Sequence, residues 1–344
     1  MAYMVQSSEK LRKSAAEGET KALLYLMNFR EDSDDIYFFV VDFFNDLTGM
    51  DRYADKLWDV QSKANKNNSP KAVGKALVTL YKNYISEFEF AHFILFVGGV
   101  STTVRIDSAI SVFGIENIDK SALTKLRSGL KEECDEKNYI EDTKVTDNSI
   151  DDFLKKVTFV VDDKDPCEYV RAIIKNHPAI IPNDTVLTAI FNEIRNAQSE
   201  KKNTSVEGVT IQTTDQALYY CRHLSNSEIK LLTLQRIINH NPVEKTIPPS
   251  FVPIFNQWPP EKQRDKLDEC VQALCRALFN KNASDAFWRL FEAIYKEVIH
   301  NPNYGVQELF QAIDTSIRNA APDFDAVSLK YFIAVVKDGI QNGI

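Results

Sequence analysis

The chain of 344 residues is poor in the features that would place it quickly. No stretch approaches the ~20 consecutive apolar residues that a membrane helix needs. KALLYLMNF (21–29) is too short, follows a charged helical segment, and does not read as a signal peptide. Five cysteines, an odd number without framework spacing, exclude a disulfide scaffold and fit a reducing interior, so a cytoplasmic protein is expected. An excess of basic charge is also missing: the net charge of −8 argues against a non-specific nucleic-acid coat. It does not exclude an enzyme acting on nucleic acid, for which the local field at the groove decides. The five histidines (His92, His177, His223, His240 and His300) are scattered, with no pair at a metal-ligand spacing. Gly98-Gly99 is not followed by the Lys-Ser/Thr of a phosphate loop, and no elbow or triad spacing supports a Ser or Cys nucleophile. Cys270 and Cys275, five apart, neither bridge well nor match a zinc knuckle, and read as small buried residues.

What is present is ordinary for a globular protein: 44% apolar and 26% charged residues. The length suggests two domains, at one per roughly 150 residues. The first half alternates helix and strand. Residues 8–30 read as a helix, IYFFVVDFF (36–44) and LWDVQSK (57–63) as strands, and 72–85 as a helix opened by Pro70. FAHFILFVGG (90–99) reads as a strand, 119–137 as a charged helix, and FLKKVTFVV (153–161) as another strand. After Asp165-Pro166 helices dominate. Ser225 and Glu228 form a capping-box pattern, and Leu267, Cys270, Val271, Leu274 and Leu278 recur at helical spacing. IPPSFVPIFNQWPP (247–260), with five prolines, marks a rigid connector in which Trp258 is either a partner contact or local packing. No solenoid period is visible. The expected boundary lies near 165, giving domains 1–165 and 166–344.

LWDVQSK poses a chemical question. Side chains two apart in a strand share a face, so Asp59, Gln61 and Lys63 lie together, opposite Trp58, Val60 and Ser62. Such a row is either a solvent-facing edge or the wall of a site. Metal-assisted phosphodiester cleavage needs oxygen ligands for Mg²⁺, a group near the attacking water, and positive charge on the scissile phosphate. Asp46 just after one strand, with Gln61-x-Lys63 on the next, supplies all three. Asp46 would ligate the metal, Gln61 would do so through its carbonyl, and Lys63 would orient water or stabilise the phosphorane. From Lys63 to Lys82 there are five lysines and no acid. Lys71, Lys75 and Lys82 fall on one face of a continuous helix, and with Lys66 are candidates for tracking a nucleic-acid backbone; otherwise they form a solvated face.

The stretch VVDFFNDLTG…LWDVQSKA resembles PD-(D/E)xK nucleases of the Mrr-like group, within them the nuclease domain of Cap-type CBASS effectors and of Lamassu-type (ABC-three-component) antiphage systems. The resemblance covers about residues 10–165, with specificity at 36–64. It implies a restriction-endonuclease-like α/β core, a central mixed sheet flanked by helices, followed by an all-α domain. It assigns Asp42 as the first acid, Asp46 as the metal-binding aspartate, and Gln61 and Lys63 as the terminal motif. An early helix often adds an acid, and Glu19, on the face of Leu23 and Leu26, matches better than Glu17. Two departures stand out. Gln61 replaces the usual acid, and Asp59 is more polar than usual there, either as a further ligand or as the lysine's partner. Residues 166–344 do not resemble the α/β sensor of CBASS effectors; a helical tail fits docking onto an SMC-like ATPase and an accessory subunit, or onto copies of itself.

The expected function is therefore a Mg²⁺-dependent endonuclease (Mn²⁺ substituting) acting on double-stranded DNA, the effector subunit of a bacterial defence complex, held inactive until infection is sensed. The rival is a non-catalytic interaction protein that keeps a degenerate nuclease fold as scaffold.

Overall fold

The structure is a computed structural model and describes residues 2–5, 13–177, 184–203 and 205–342. The chain forms two compact units. One comprises Met1–Asp165 with Ile194–Asn226, the other Pro166–Glu193 with Ser227–Ile344. The division at Asp165 coincides with the expected boundary, but residues 194–226 return to the first unit, which the sequence reading assigned wholly to the second.

The first unit holds a mixed seven-stranded sheet. Strand β1 (Tyr3–Met4) lies outside it, paired with β8 (Thr210–Ile211). The sheet strands are β2 (Phe38–Val41), β3 (Leu47–Met50), β4 (Leu57–Lys63), β5 (His92–Val97), β6 (Val112–Phe113), β7 (Val157–Val161) and β9 (His223–Ser225). Their order is β6-β7-β5-β4-β3-β2-β9. β2, β3 and β4 run as an antiparallel meander, β4 pairs parallel with β5, and β5 parallel with β7. Parallel neighbours need crossover connections, and helices supply them. α2 (Pro70–Ala76) and α3 (Val78–Tyr84) join β4 to β5; α4 (Lys120–Glu136) and α5 (Asp147–Leu154) lie between β5 and β7. β5 is covered on both faces, so HFILFV carries no polar alternation. α1 (Lys13–Asn28) buries its Ala22–Met27 run completely. It crosses β4 closely: a Cβ on Gly18 would lie 3.2 Å from Ser62 Oγ.

Two expectations change. IYFFVVDFF is not one strand: β2 stops at Val41, Asp42 takes a left-handed φ of 51°, and its N–H donates to Asp46 O. The chain thereby reverses into β3, a short strand that contains Gly49. The helix expected over 72–85 is also two helices. α2 is capped by Ser69 Oγ and opened by Pro70 as expected, but the ladder breaks at Leu77, whose N–H bonds Gly74 O. A one-turn tightening of this kind needs no proline or glycine signal.

In the second unit the helices are α6 (Pro166–Ile173), α7 (Asp184–Glu200, whose last turns belong to the first unit), α8 (Asn226–Ile238), α9 (Val252–Phe255), α10 (Pro260–Phe279), α11 (Ser284–His300), α12 (Val306–Ala312), α13 (Thr315–Asn319) and α14 (Ala326–Asn342). Residues Tyr331–Val336 of α14 are all buried, so this helix is apolar on every side and forms the centre of the unit. α10 packs on it with Leu267, Cys270, Val271, Leu274 and Leu278 buried, the face its spacing indicated. No helix among the described residues is long and apolar enough to cross a membrane.

The α2–α4 contact is unusually close because each helix contributes a glycine. A Cβ on Gly74 would lie 2.0 Å from Leu126 O, and one on Gly129 2.3 Å from Lys71 O. Both obstacles are backbone, which cannot rotate aside. Gly74→Ala should therefore cost ~1–3 kcal/mol in urea unfolding, despite alanine's better helix propensity. Unchanged or increased stability would show that the two helices are not held this closely.

Candidate active site

The polar row of β4 is covered by α3, and the two spacings match. Residues i and i+4 of a helix are about 6 Å apart along its axis, and residues i and i+2 of a strand about 6.6 Å. Thr79 and Asn83 of α3 accordingly meet Gln61 and Asp59 of β4: Thr79 Oγ1 donates to Gln61 Oε1, and Asn83 Nδ2 donates to Asp59 Oδ2 at 2.7 Å. LWDVQSK is thus neither a solvent edge nor a uniform wall. Asp59 is fully buried, Gln61 nearly so, and Lys63 emerges partly exposed at the strand's end.

Asp46 arrives from the neighbouring strand. The β3–β4 register pairs Leu47 with Val60, which sets Asp46 against Gln61. Asp46 Oδ2 accepts from Ser62 N–H at 2.8 Å and from the Gln61 side-chain amide. Burial pushes the Asp46 carboxyl up, against the opposing pull of Lys63 and the Ser62 N–H. Lys63 has no ion-pair partner among the described residues. Asp42, Asp46, Gln61, Lys63 and Lys82 line one cavity of about 250 Å³, together with Lys137 and Tyr139. A second hollow of about 360 Å³ shares Gln61, Lys63, Lys137 and Tyr139 and continues toward Lys75.

Glu19 of α1 belongs to this acidic neighbourhood. Burial pushes its carboxyl to about 7; the Lys202 ammonium pulls it down, and Asp46 and Asp42 push it up. Lys202 Nζ lies 2.7 Å from Glu19 Oε2, with both side chains about a tenth exposed. Asp42 is held by Arg222 at 3.0 Å. Lys202 and Arg222 both come from the returning stretch 194–226. Nothing local in the sequence marks them, because their partners lie 183 and 180 residues away.

The structure brings Asp42, Asp46, Gln61 and Lys63 together on one cavity, which Glu19 does not line, and disperses the lysine face. Lys71 pairs with Glu132 at 2.8 Å and Lys75 with Glu133 at 3.3 Å, both acids on α4. Lys82 turns inward onto Tyr3, its Nζ 2.6 Å from the hydroxyl. The break at Leu77 and the acids of α4 together remove the continuous cationic stripe expected of Lys71, Lys75 and Lys82. Lys66 stays exposed on the loop after β4. Asp59 is not the partner of Lys63, nor does it open on the cavity.

Among the described residues no group of three or more His, Cys, Asp or Glu side chains is placed to hold a metal ion. The oxygen donors on the cavity are the Asp46 carboxylate and the Gln61 amide, beside Asp42, which is tied to Arg222. All are hard oxygens suited to Mg²⁺ or Mn²⁺ rather than Zn²⁺. The Gln61 carbonyl faces Thr79 and its NH₂ faces Asp46, so ligation through oxygen requires the amide to turn over. Thr79 permits this, since a hydroxyl accepts as readily as it donates. A desolvated carboxylate with acidic neighbours is also a place where a divalent cation relieves repulsion. With the amide turned over, Asp46 and Gln61 would offer a divalent cation two hard oxygens.

Behind the cavity runs a buried chain of polar groups. Lys82 Nζ donates to the Tyr3 hydroxyl, which donates to Asn83 Oδ1 at 2.8 Å, and Asn83 Nδ2 reaches both Asp59 and, at 3.3 Å, Phe44 O. Burial raises Asp59 to about 7, opposed by Asn83 and Lys82, and lowers Lys82 to about 8. The folded chain thus holds a proton on Asp59 that the unfolded chain has already released. Stability is present below the unfolded value of 3.8 and is lost as pH rises through about 7. Asp59→Asn should flatten that decline, narrowing the stability difference between about pH 5 and about pH 7.5 by on the order of 2 kcal/mol in urea unfolding. A variant with the same pH slope as the parent would show that Asp59 does not titrate in this range.

Comparison with protein families, with curated proteins and with solved structures finds no match for this chain.

Proposed function

We propose that this chain is a metal-dependent DNA endonuclease of the PD-(D/E)xK kind. The observation that carries the reading is the β3–β4 register, which sets Asp46 against Gln61 with Lys63 two residues on. The order of elements supports it: a helix, a three-stranded antiparallel meander, a helical crossover and a parallel strand, with the acid entering the second strand of the meander and Gln-x-Lys ending the third. Asp46 and Gln61 are the residues that would hold Mg²⁺ or Mn²⁺. When bound, the metal supplies a Lewis acid for the phosphate and lowers the pKa of water. Lys63, without an ion-pair partner among the described residues, presents its ammonium to a phosphate oxygen or to the attacking water. The Ser62 N–H holds the carboxylate of Asp46 in place while the Gln61 amide turns over toward the metal. Asp42, tied to Arg222, shapes the turn that delivers Asp46.

The wider role rests on the sequence resemblance: effector subunit of an antiphage complex, with the helical unit docking an SMC-like ATPase, an accessory subunit or further copies of the chain. The non-catalytic scaffold is a second reading, favoured by Gln61 in place of an acid and by Lys202 on Glu19.

Plasmid cleavage separates the two. With Mg²⁺ the parent should nick or linearise DNA and excess chelator should stop it, while Asp46→Asn and Lys63→Ala should each lose at least ~100-fold in rate with cooperative melts retained. Folded variants that cut as well as the parent would remove the site; a parent that never cuts, alone or with its complex, would favour the scaffold.

A further inference from the structure

Lys82 is lost from the outer lysine face but not from the site. With Lys63 it lines the cavity of about 250 Å³, the one lysine reaching it from α3 and the other from β4. The remaining charges on that cavity are answered close by. Asp42 lies 3.0 Å from Arg222, and Lys137 lies 3.0 Å from Glu133. Asp46 accepts from the Ser62 N–H and the Gln61 amide. Lys63 has neither an ion pair nor a hydrogen bond from its ammonium among the described residues. Lys82 has no carboxylate partner among them either: its Nζ meets only the Tyr3 hydroxyl, at 2.6 Å, and the face of the same ring. With the paired groups set aside, two ammoniums face one carboxylate, an excess of one positive charge.

We propose that Lys63 and Lys82 form a clamp for a single phosphodiester of a nucleic-acid strand, in place before any metal binds. The identity of the anion rests on reading the cavity as a nuclease site; the clamp itself rests on the two lysines. Taking an ammonium out of water without a partner is costly, and two on one cavity repel each other as well. Burial lowers Lys82 to about 8 against the pull of Asp59, and an anion beside it would reverse that. The fold nevertheless holds Lys82 in position. Tyr3 takes one of its three N–H groups and is itself fixed by donating to Asn83 Oδ1 at 2.8 Å, so the other two remain for a ligand. A phosphodiester carries one negative charge over two non-bridging oxygens. That matches an excess of one positive charge and two separate donors, each forming a charge-assisted hydrogen bond. Lys82 thus becomes a second phosphate-binding residue, outside the Gln-x-Lys row, and substrate binds without metal.

Titration of the full chain with the dinucleotide TpT in excess EDTA, read by phosphorus NMR, tests the clamp without metal or activity. The parent should bind TpT, and the uncharged methylphosphonate analogue, read by proton NMR, should bind far more weakly. Lys63→Met and Lys82→Met should each weaken TpT binding roughly fivefold or more, while Lys82→Arg, which restores the charge, should keep most of it. Unchanged binding by Lys82→Met, or equal binding of the methylphosphonate, overturns the clamp. Tighter binding of thymidine monophosphate than of TpT overturns the diester assignment. A measurement on the parent guards against a misfolded variant. TpT should protect Lys63 and Lys82 several-fold from acetylation by acetic anhydride, but not Lys71, which pairs with Glu132 away from the cavity. Equal labelling of Lys82 with and without TpT overturns the proposal. The two readings fail separately. A chain that binds TpT through Lys82 but never cuts keeps the clamp and loses the nuclease, and one that cuts without needing Lys82 for TpT does the reverse.

Discussion

A single carboxylate oxygen organises the first unit. Asp46 Oδ2 accepts from the Ser62 backbone N–H and from the Gln61 side chain, and so pins the turn at 42–46 to the end of β4. In the same turn the Asp42 N–H bonds Asp46 O and the Asp42 carboxylate is held by Arg222, and the β3–β4 pairing sets Gln61 against the acid it faces. The bond is expensive in isolation, since burial disfavours the ionised form. It persists because two donors and the nearby Lys63 offset the desolvation.

The same logic extends into the interior. Asp59, Asn83, Tyr3 and Lys82 form a polar path beneath the cavity, and Asn83 also holds Phe44 O, so the path braces the turn that carries Asp46. Polar groups this deeply buried raise fold specificity only when they are satisfied together. One gap remains, as the Asn45 amide and Asp59 Oδ1 face each other without a hydrogen bond of good geometry.

Period-two alternation made β4 legible from sequence to its ends, because a strand buried on both faces still declares the polar residues it must satisfy. It also gave the shared face of Asp59 and Gln61. The adjoining turn was not legible. An aromatic run such as YFFVVDFF contains no glycine or proline to announce a reversal, and Asp42 adopts its left-handed backbone through a tertiary anchor. The partners of Lys71 and Lys75 were hidden for a related reason, since their charge is answered by α4, some sixty residues downstream, a distance no periodicity reports. The return of 194–226 to the first unit was equally hidden. β9 is three residues long, and Lys202 and Arg222 are ordinary letters until the fold sets them on Glu19 and Asp42.

The proposed metal site sets Asp46 and Gln61 beside Lys63. A crystal of the full chain soaked in Mn²⁺ tests it most directly, through the anomalous signal of the ion. A peak is expected at roughly 2.0–2.3 Å from Asp46 and from the Gln61 carbonyl oxygen, with the amide turned over toward it. Mn²⁺ bound elsewhere, or an Asp46 carboxylate still taken up by the Gln61 NH₂ at saturating metal, would contradict it.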